Sequence, residues 1–341
     1  SGTNPYTQDK GRSDFADTDW LDETFEGGTT HDLYLSASGG DEKTQYFMSS
    51  RFYTEDGVVV YNNDKIDVLS FRSNINSELT DRFEIGSNLQ LNYSQEDNLN
   101  SRGESPGILR HAMLRPPVLS VKKDKDDPYY SEDDPFTDLP FYNGPNDFES
   151  SKYEWSQNPV ALAYFTDDVI TQYRAFGNVF GEYDFLKDKN LKFRTNLGVD
   201  LLFYHRKVFN ENFGDDDGGG LPQDQGLGRQ NRPSSLSENR DESSTITWNN
   251  TLNYLKEFNR HQVRALAGTE FVTYQTSNVS AARQRYDFDS ENFRYLNFGG
   301  TDLGLTNSGS GNEWALFSYF TSASYKYAQR YMFTANFRAD A

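Results

Sequence analysis

Residues 68–94 read VLSFRSNINSELTDRFEIGSNLQLNYS, and this stretch decides the fold class. Within Val68–Leu79, Leu69, Phe71, Ile75 and Leu79 share one parity, and Arg72, Asn74, Asn76 and Glu78 the other. Within Phe83–Ser94, Phe83, Ile85, Leu89, Leu91 and Tyr93 alternate with Glu84, Asn88, Gln90 and Asn92. A period of two sustained this long is that of a strand, whose successive side chains point to opposite faces, and no helix reproduces it. Thr80-Asp81-Arg82 joins the two runs as a hairpin connection.

The pattern recurs along the chain. Asn190–Tyr204 sets Leu191, Phe193, Leu197, Val199, Leu201 and Phe203 against Lys192, Arg194, Asn196 and Asp200. Ser244–Leu255 sets Ile246, Trp248, Leu252 and Tyr254 against Thr247, Asn249, Thr251 and Asn253. Tyr331–Asp340 sets Tyr331, Phe333, Ala335 and Phe337 against Thr334, Asn336, Arg338 and Asp340. Weaker alternation marks Asp32–Ser38, Thr44–Thr54, Gln172–Phe185, Gln262–Thr276 and Trp314–Tyr327, for ten strands in all. In Gln172–Phe185 both parities carry aromatics, Phe176 and Phe180 against Tyr173 and Tyr183, so its facing is ambiguous.

The connections alternate between short and long. Short ones fall at Gly39–Lys43, Thr80–Arg82, Leu186–Lys189, Lys256–His261 and Ala328–Arg330. Long ones fall at Glu55–Ile66, Glu96–Thr171, Lys207–Glu242 and Ser277–Glu313. A transmembrane β-barrel keeps this asymmetry, with tight periplasmic turns and long extracellular loops. In the longest connection the spacing before Arg115-Pro116-Pro117 predicts a short helix over Ile108–Leu114. Its aromatics, Tyr129-Tyr130, Phe136, Phe141-Tyr142, Tyr153 and Trp155, suit either sugar or peptide contacts or packing of the loop on itself.

Composition agrees with an all-β chain. Among 341 residues there are 22 Tyr and 26 Phe, only 3 Met, and no Cys, which excludes disulfides and thiolate metal sites. No run of about 18 apolar residues is available for a transmembrane helix. Mean hydropathy is −0.83, a value that barrel strands tolerate because only every second residue meets lipid. The formal charge of −19 is concentrated in the four long connections, with 31 acidic and 15 basic side chains, and in Ser1–His31, with 7 and 2. No basic stripe exists, so nucleic acid is not a partner.

Two architectures fit alternation alone: a barrel with polar residues toward a wet lumen, and a soluble or surface-attached β-sandwich with its polar faces outward, such as an adhesin or carbohydrate-binding module. The aromatics separate them. Phe83, Tyr183, Phe185, Phe193, Tyr254, Tyr327 and Tyr331 lie beside the short turns, where an interfacial girdle is required. In the barrel, Arg72, Asn74, Asn88, Gln90, Arg194, Asn196, Asn249, Asn253 and Arg338 are the lumen-lining candidates. In the sandwich, Leu89, Leu91, Leu197 and Val199 would pack between two sheets.

Catalytic and metal chemistry find no constellation. His31, His111, His205 and His261 are scattered without ligand spacing. Asp215-Asp216-Asp217 and the acidic runs Asp124–Asp127 and Glu132–Asp134 lack the ordered spacing of a calcium loop. Gly299-Gly300 and Ser308–Gly311 have no phosphate-loop lysine, and no nucleophile elbow is present. We expect no enzyme, no cofactor and no metal.

Asp19-Trp20-Leu21-Asp22-Glu23 with Phe25, the turn Ser36–Tyr46, Glu55-Asp56-Gly57-Val58-Val59 and Arg330–Asp340 together resemble the SusC/RagA-like TonB-dependent outer-membrane receptors. Gln172–Asn178 and Leu191–Thr195 extend the likeness, which runs from about Thr18 to Ala341, where Ala341 stands in place of the family's usual Gly. The resemblance implies a Gram-negative outer-membrane barrel of about 22 strands with a plug in its lumen. It also implies import of glycan or peptide oligomers, energy supplied through TonB, and a SusD-like surface lipoprotein as partner. No plug, TonB box or closing strands are recognised here. The expected layout is a lead over residues 1–31 and a partial barrel over 32–341. A passive porin is the remaining alternative.

Overall fold

The computed structural model describes residues 16–62, 64–99, 107–115, 117, 119–126, 130, 132, 135–137, 158–211, 234–288, 290–301 and 305–341. Ten strands form one antiparallel sheet in strict sequence order. They are β1 (Thr30–Gly40), β2 (Thr44–Glu55), β3 (Ile66–Thr80), β4 (Phe83–Asp97), β5 (Thr166–Asp184), β6 (Leu191–Asn210), β7 (Ser235–Phe258), β8 (His261–Gln284), β9 (Thr306–Tyr327) and β10 (Tyr331–Asp340). Every strand expected from alternation is present. Among the described residues the strands form a single sheet, with no second sheet for Leu89, Leu91, Leu197 and Val199 to pack against. Leu89, Leu91 and Leu197 stand 38%, 41% and 43% exposed, and Val199 is half-buried. The sandwich is therefore excluded.

The apolar face carries two aromatic rims. Phe83, Tyr183 and Phe193 stand side by side at the short-turn end of β4, β5 and β6. Tyr93, Tyr173 and Phe203 stand side by side farther up the same strands, with the Tyr93 and Tyr173 rings 5.0 Å apart. From Phe83 to Tyr93 the strand advances about 33 Å at roughly 3.3 Å per residue. A tilt of about 45° reduces this to about 23 Å of height, close to the roughly 25 Å apolar band of an outer-membrane barrel. Between the rims lie Ile85, Leu89, Leu91, Val179, Leu197 and Val199 on the same face.

The strands run farther into the long connections than alternation predicts. The segment 207–242 contributes the end of β6 and the start of β7, and 277–313 contributes the end of β8 and the start of β9, including Ser308–Gly311. Beyond the upper rim both faces meet water, so apolar alternation ceases while backbone pairing continues.

Among the described residues, the buried apolar side chains gather at the long-connection end. The expected helix Ile108–Leu114 is present as α2, joined by α1 (Trp20–Thr24) and α3 (Pro159–Phe165). Asp19 caps α1 by accepting from the Leu21 and Asp22 amides, and Asn158 caps α3 with Pro159 as its first residue. Trp20, Ala112, Leu119, Phe136, Val160, Ala161 and Phe165 form one cluster, and Val59, Leu99, Ile108 and Ala163 another. Phe136 therefore packs the loop on itself. A third cluster joins Phe209 of β6, Leu236 of β7 and Tyr286 at the long-connection end of the sheet. Tyr129, Phe141, Tyr142, Tyr153, Trp155 and Asp215–Asp217 lie outside the described residues.

Candidate functional site: the polar face of the sheet

Residues directly paired across antiparallel strands project to the same side. Arg72 stands opposite Gln90, and Asn74 opposite Asn88. Asn88 faces Asn178, and Gln90 faces Phe176. Arg194 faces Glu182, and Asn196 faces Phe180. Asn196 faces Asn249, and Asn253 faces Lys192. Asn249 faces Glu270, Glu270 faces Ser318, and Arg338 faces Phe320. The register thus brings all nine sequence candidates to one face, opposite the apolar band. It also resolves the facing of β5: Phe176 and Phe180 lie on the polar side, Tyr173 and Tyr183 on the apolar side.

Amides link across this face. The Asn88 side-chain amide donates to the Asn178 Oδ1 at 3.1 Å, and Asn178 donates in turn to the Asn196 Oδ1 at 2.6 Å. Pairing extends the row through Asn249 to Glu270, where Arg338 donates to Glu270 at 3.0 Å and to the Ser318 hydroxyl at 2.9 Å. Gln90 donates to Asn92 at 3.4 Å, and Asn253 to the Thr251 hydroxyl at 3.2 Å. Arg72, Asn74 and Asn249 make no side-chain hydrogen bond or ion pair among the described residues.

Two aromatics on the polar face belong to a repeated unit. Phe180 lies over Gly86, where an added Cβ would meet its Cζ at 2.4 Å, and Arg194 sits 4.0 Å above the ring. Phe320 lies over Gly268 at the same 2.4 Å, with Arg338 at 6.0 Å. Each glycine leaves a space that a cross-strand ring fills, and each ring steadies an arginine.

Most charges here are paired. Arg174 meets Asp200 with two bonds of 2.9 and 2.7 Å. Arg51 meets Asp32 at 2.8 and 2.9 Å, and Arg206 meets Asp168 at 2.8 and 2.6 Å. Lys192 and Arg194 both reach Glu182. These two-point contacts fix side chains geometrically while adding little net energy at a wet surface.

Sequence reasoning missed two residues. Tyr274 and Trp314 pair across β8 and β9 on the polar face, their rings stacked at 5.8 Å and 29°. They form an aromatic platform, with Trp314 exposed and Tyr274 half-buried, in the same register row as Arg72, Gln90 and Asp200. In β8 both parities mix apolar and polar residues, so alternation gave their side no signal.

Asp41 and Tyr286 are among the groups outside the span with shifted acidity. In the β1–β2 turn, the Thr44 and then the Lys43 amides donate to Asp41 at 2.7 and 2.8 Å, and these bonds hold its carboxyl below the usual range. Burial pushes the Tyr286 phenol up to about 12, and its hydroxyl has no hydrogen-bond partner among the described residues.

A sheet with one apolar face between aromatic rims, and one hydrogen-bonded polar face without a packed core, is a wall segment of a wide transmembrane β-barrel. No family model matches the chain. Individual proteins do. It is 26% identical over 332 residues to TonB-dependent receptor P3 of Formosa agariphila, covering 95% of this chain and 29% of that protein. It is 24% identical over 346 residues to TonB-dependent receptor P26 of the same organism, covering 96% and 29%. In fold it matches the RagAB peptide transporter with a TM-score of 0.70 at 18% identity, over 95% of this chain and 33% of that one. The chain is thus similar to part of a SusC/RagA-like TonB-dependent receptor, and it spans under a third of the relatives' length.

Proposed function

We propose that the chain is part of the barrel wall of an outer-membrane receptor that imports oligomeric nutrients, glycan or peptide, using energy passed by TonB. The segregation of the two faces carries this reading: a lipid-facing band bounded by aromatic rims, backed by a continuous row of amides and paired charges. Such a lining offers donors and acceptors to a polar oligomer without a charge of one sign to trap it. The nine candidates line the lumen, with Asn88, Asn196 and Arg338 bracing the wall and Arg72, Asn74 and Asn249 presenting unpaired groups to the interior. The named relatives are receptors, which favours import over catalysis and over passive diffusion. Residues 1–31 lead into the wall formed by 32–341, with the plug and remaining strands elsewhere in the receptor. A SusD-like lipoprotein covers the long-loop end, as the resemblance of the sequence to SusC/RagA-like receptors implies.

The test is uptake of labelled oligosaccharides and oligopeptides by cells carrying the intact receptor and its neighbouring lipoprotein, with and without TonB. Uptake lost on deletion of the receptor and on loss of TonB is the expected result. Uptake that persists without TonB would show a passive pore.

A further inference from the structure

The β7–β8 and β9–β10 turns lie side by side because β8 and β9 pair along their whole length. Between them is a cavity of about 560 Å³. Its lining contains three cations, Arg260, Lys326 and Arg330, against one carboxylate, Glu257. Glu257 already accepts a bond from Gln262. None of the three cations has a side-chain ion pair or hydrogen bond among the described residues. The β1–β2 turn, by contrast, holds Asp41 and Glu42 against Lys43, and the β3–β4 turn balances Asp81 with Arg82. The β5–β6 turn also carries a positive excess, Lys187 and Lys189 against Asp188, but the two turns here share one cavity.

Aromatics border the cavity on the membrane side. His261 stacks on Phe258 at 5.1 Å and 15°, its Nδ1 lies 2.6 Å from the Tyr325 hydroxyl, and its ring is 4.9 Å from Tyr327. His261, Tyr327 and Tyr331 share the lipid-facing side. Amphipathic rings of this kind settle at headgroup level, so Arg260, one residue beyond His261, and Arg330, three beyond Tyr327, stand at the level of phosphate groups. Basic pockets in this position hold anionic headgroups.

We propose that these two turns bind the phosphodiester of an anionic phospholipid in the leaflet bordering the short turns, a proposal that rests on the barrel reading above. Arg260 and Arg330 supply the fork-like donors suited to a phosphate, and Tyr327 and Tyr331 flank the start of the acyl chains, while Lys326, which pairs with Gln262 on the polar face, adds only a more distant positive charge.

The test uses the full-length receptor in detergent, titrated with phosphatidylglycerol or phosphatidylcholine and read by native mass spectrometry. Phosphatidylglycerol should be retained in preference. R260Q with R330Q should weaken retention about 25-fold, from roughly five-fold per cation at a membrane surface. Glu257→Gln, which removes the only lining carboxylate, should strengthen it and serves if the double variant folds poorly. Equal retention of both lipids, or a double variant that retains phosphatidylglycerol as well as the parent, overturns the proposal. Displacement of the lipid by millimolar inorganic phosphate would also overturn it, because the site would then be one for free anions. Flotation with phosphatidylglycerol vesicles separates the two readings: a receptor that does not float overturns both, whereas one that floats without lipid preference overturns the headgroup site alone.

Discussion

Leu89→Arg tests the side of the wall that meets lipid, with Asn88→Arg as its neighbour on the other face. Leu89 lies four residues below Tyr93 on β4. That is about 13 Å along the strand at roughly 3.3 Å per residue, and about 9 Å below the rim after a tilt of about 45°. In a band about 23 Å tall, Leu89 is therefore within a few ångströms of the midplane. An arginine on the lipid face costs about 2–4 kcal/mol at the midplane and less toward the edges; about 2–3 kcal/mol is expected here. That corresponds to a factor of roughly 30 to 150 in the folding equilibrium. Asn88→Arg lies on the opposite, polar face and loses one hydrogen bond to Asn178, a loss of at most about 1 kcal/mol. The assay is reversible folding of the full-length receptor into lipid vesicles, followed by denaturant titration of each variant. Equal penalties at the two positions, or a larger one at Asn88, would refute the assignment of faces.

Gly268→Ala should destabilise the receptor by about 1–3 kcal/mol through overpacking, because the new methyl meets Phe320 Cζ at 2.4 Å. Adding Phe320→Ala should recover part of the loss in the same titration, whereas additive losses would argue against the Gly–Phe–Arg unit. For Tyr286 the folded-state pKa lies near 12, above the usual value of 10, so the contribution of its neutral phenol is complete below pH 10 and is lost as pH rises toward 12. The denaturation midpoint of the parent should fall from pH 9 to 11 more steeply than that of Tyr286→Phe; identical slopes would contradict this. Asp41 has a lowered pKa, so its support of the β1–β2 turn is present above about pH 4 and lost as pH falls through the folded value. Amide-exchange protection in that hairpin should drop at acidic pH in the parent, and Asp41→Asn, which keeps both acceptor bonds, should flatten the dependence.

Alternation made the wall legible where lipid and water impose opposite demands on neighbouring residues. The polar parities of β3, β4, β6, β7 and β10 identified the face that holds Arg72, Asn88, Asn196, Asn249 and Arg338, and the register confirms that grouping. In β5 it was silent because Phe180 packs on Gly86 across the strand, a partnership between residues far apart in sequence. The Tyr274–Trp314 platform escaped for a similar reason: β8 and β9 meet through a long connection, so no tight turn sets their register. The upper strand extensions lost their signal once both faces met water. Five and seven residues give too few turns for a helical period, so α1 and α3 stayed hidden, whereas the equally short α2 was legible from the prolines that follow it; Asp19 and Asn158-Pro159 were readable caps.

Accessibility of single cysteines along Ser87–Tyr93, a stretch of a chain with no cysteine of its own, in a receptor freed of any cysteine elsewhere, is the most direct measure of whether this sheet is a barrel wall between lipid and a wet lumen. In the full-length receptor reconstituted in vesicles, Asn88, Gln90 and Asn92 replaced by Cys should react with a small water-soluble maleimide, while Leu89 and Leu91 replaced by Cys should react with a lipid-dissolved probe and not with the aqueous one. Labelling without alternation, or Leu89 and Leu91 positions protected from both reagents, would contradict the barrel wall.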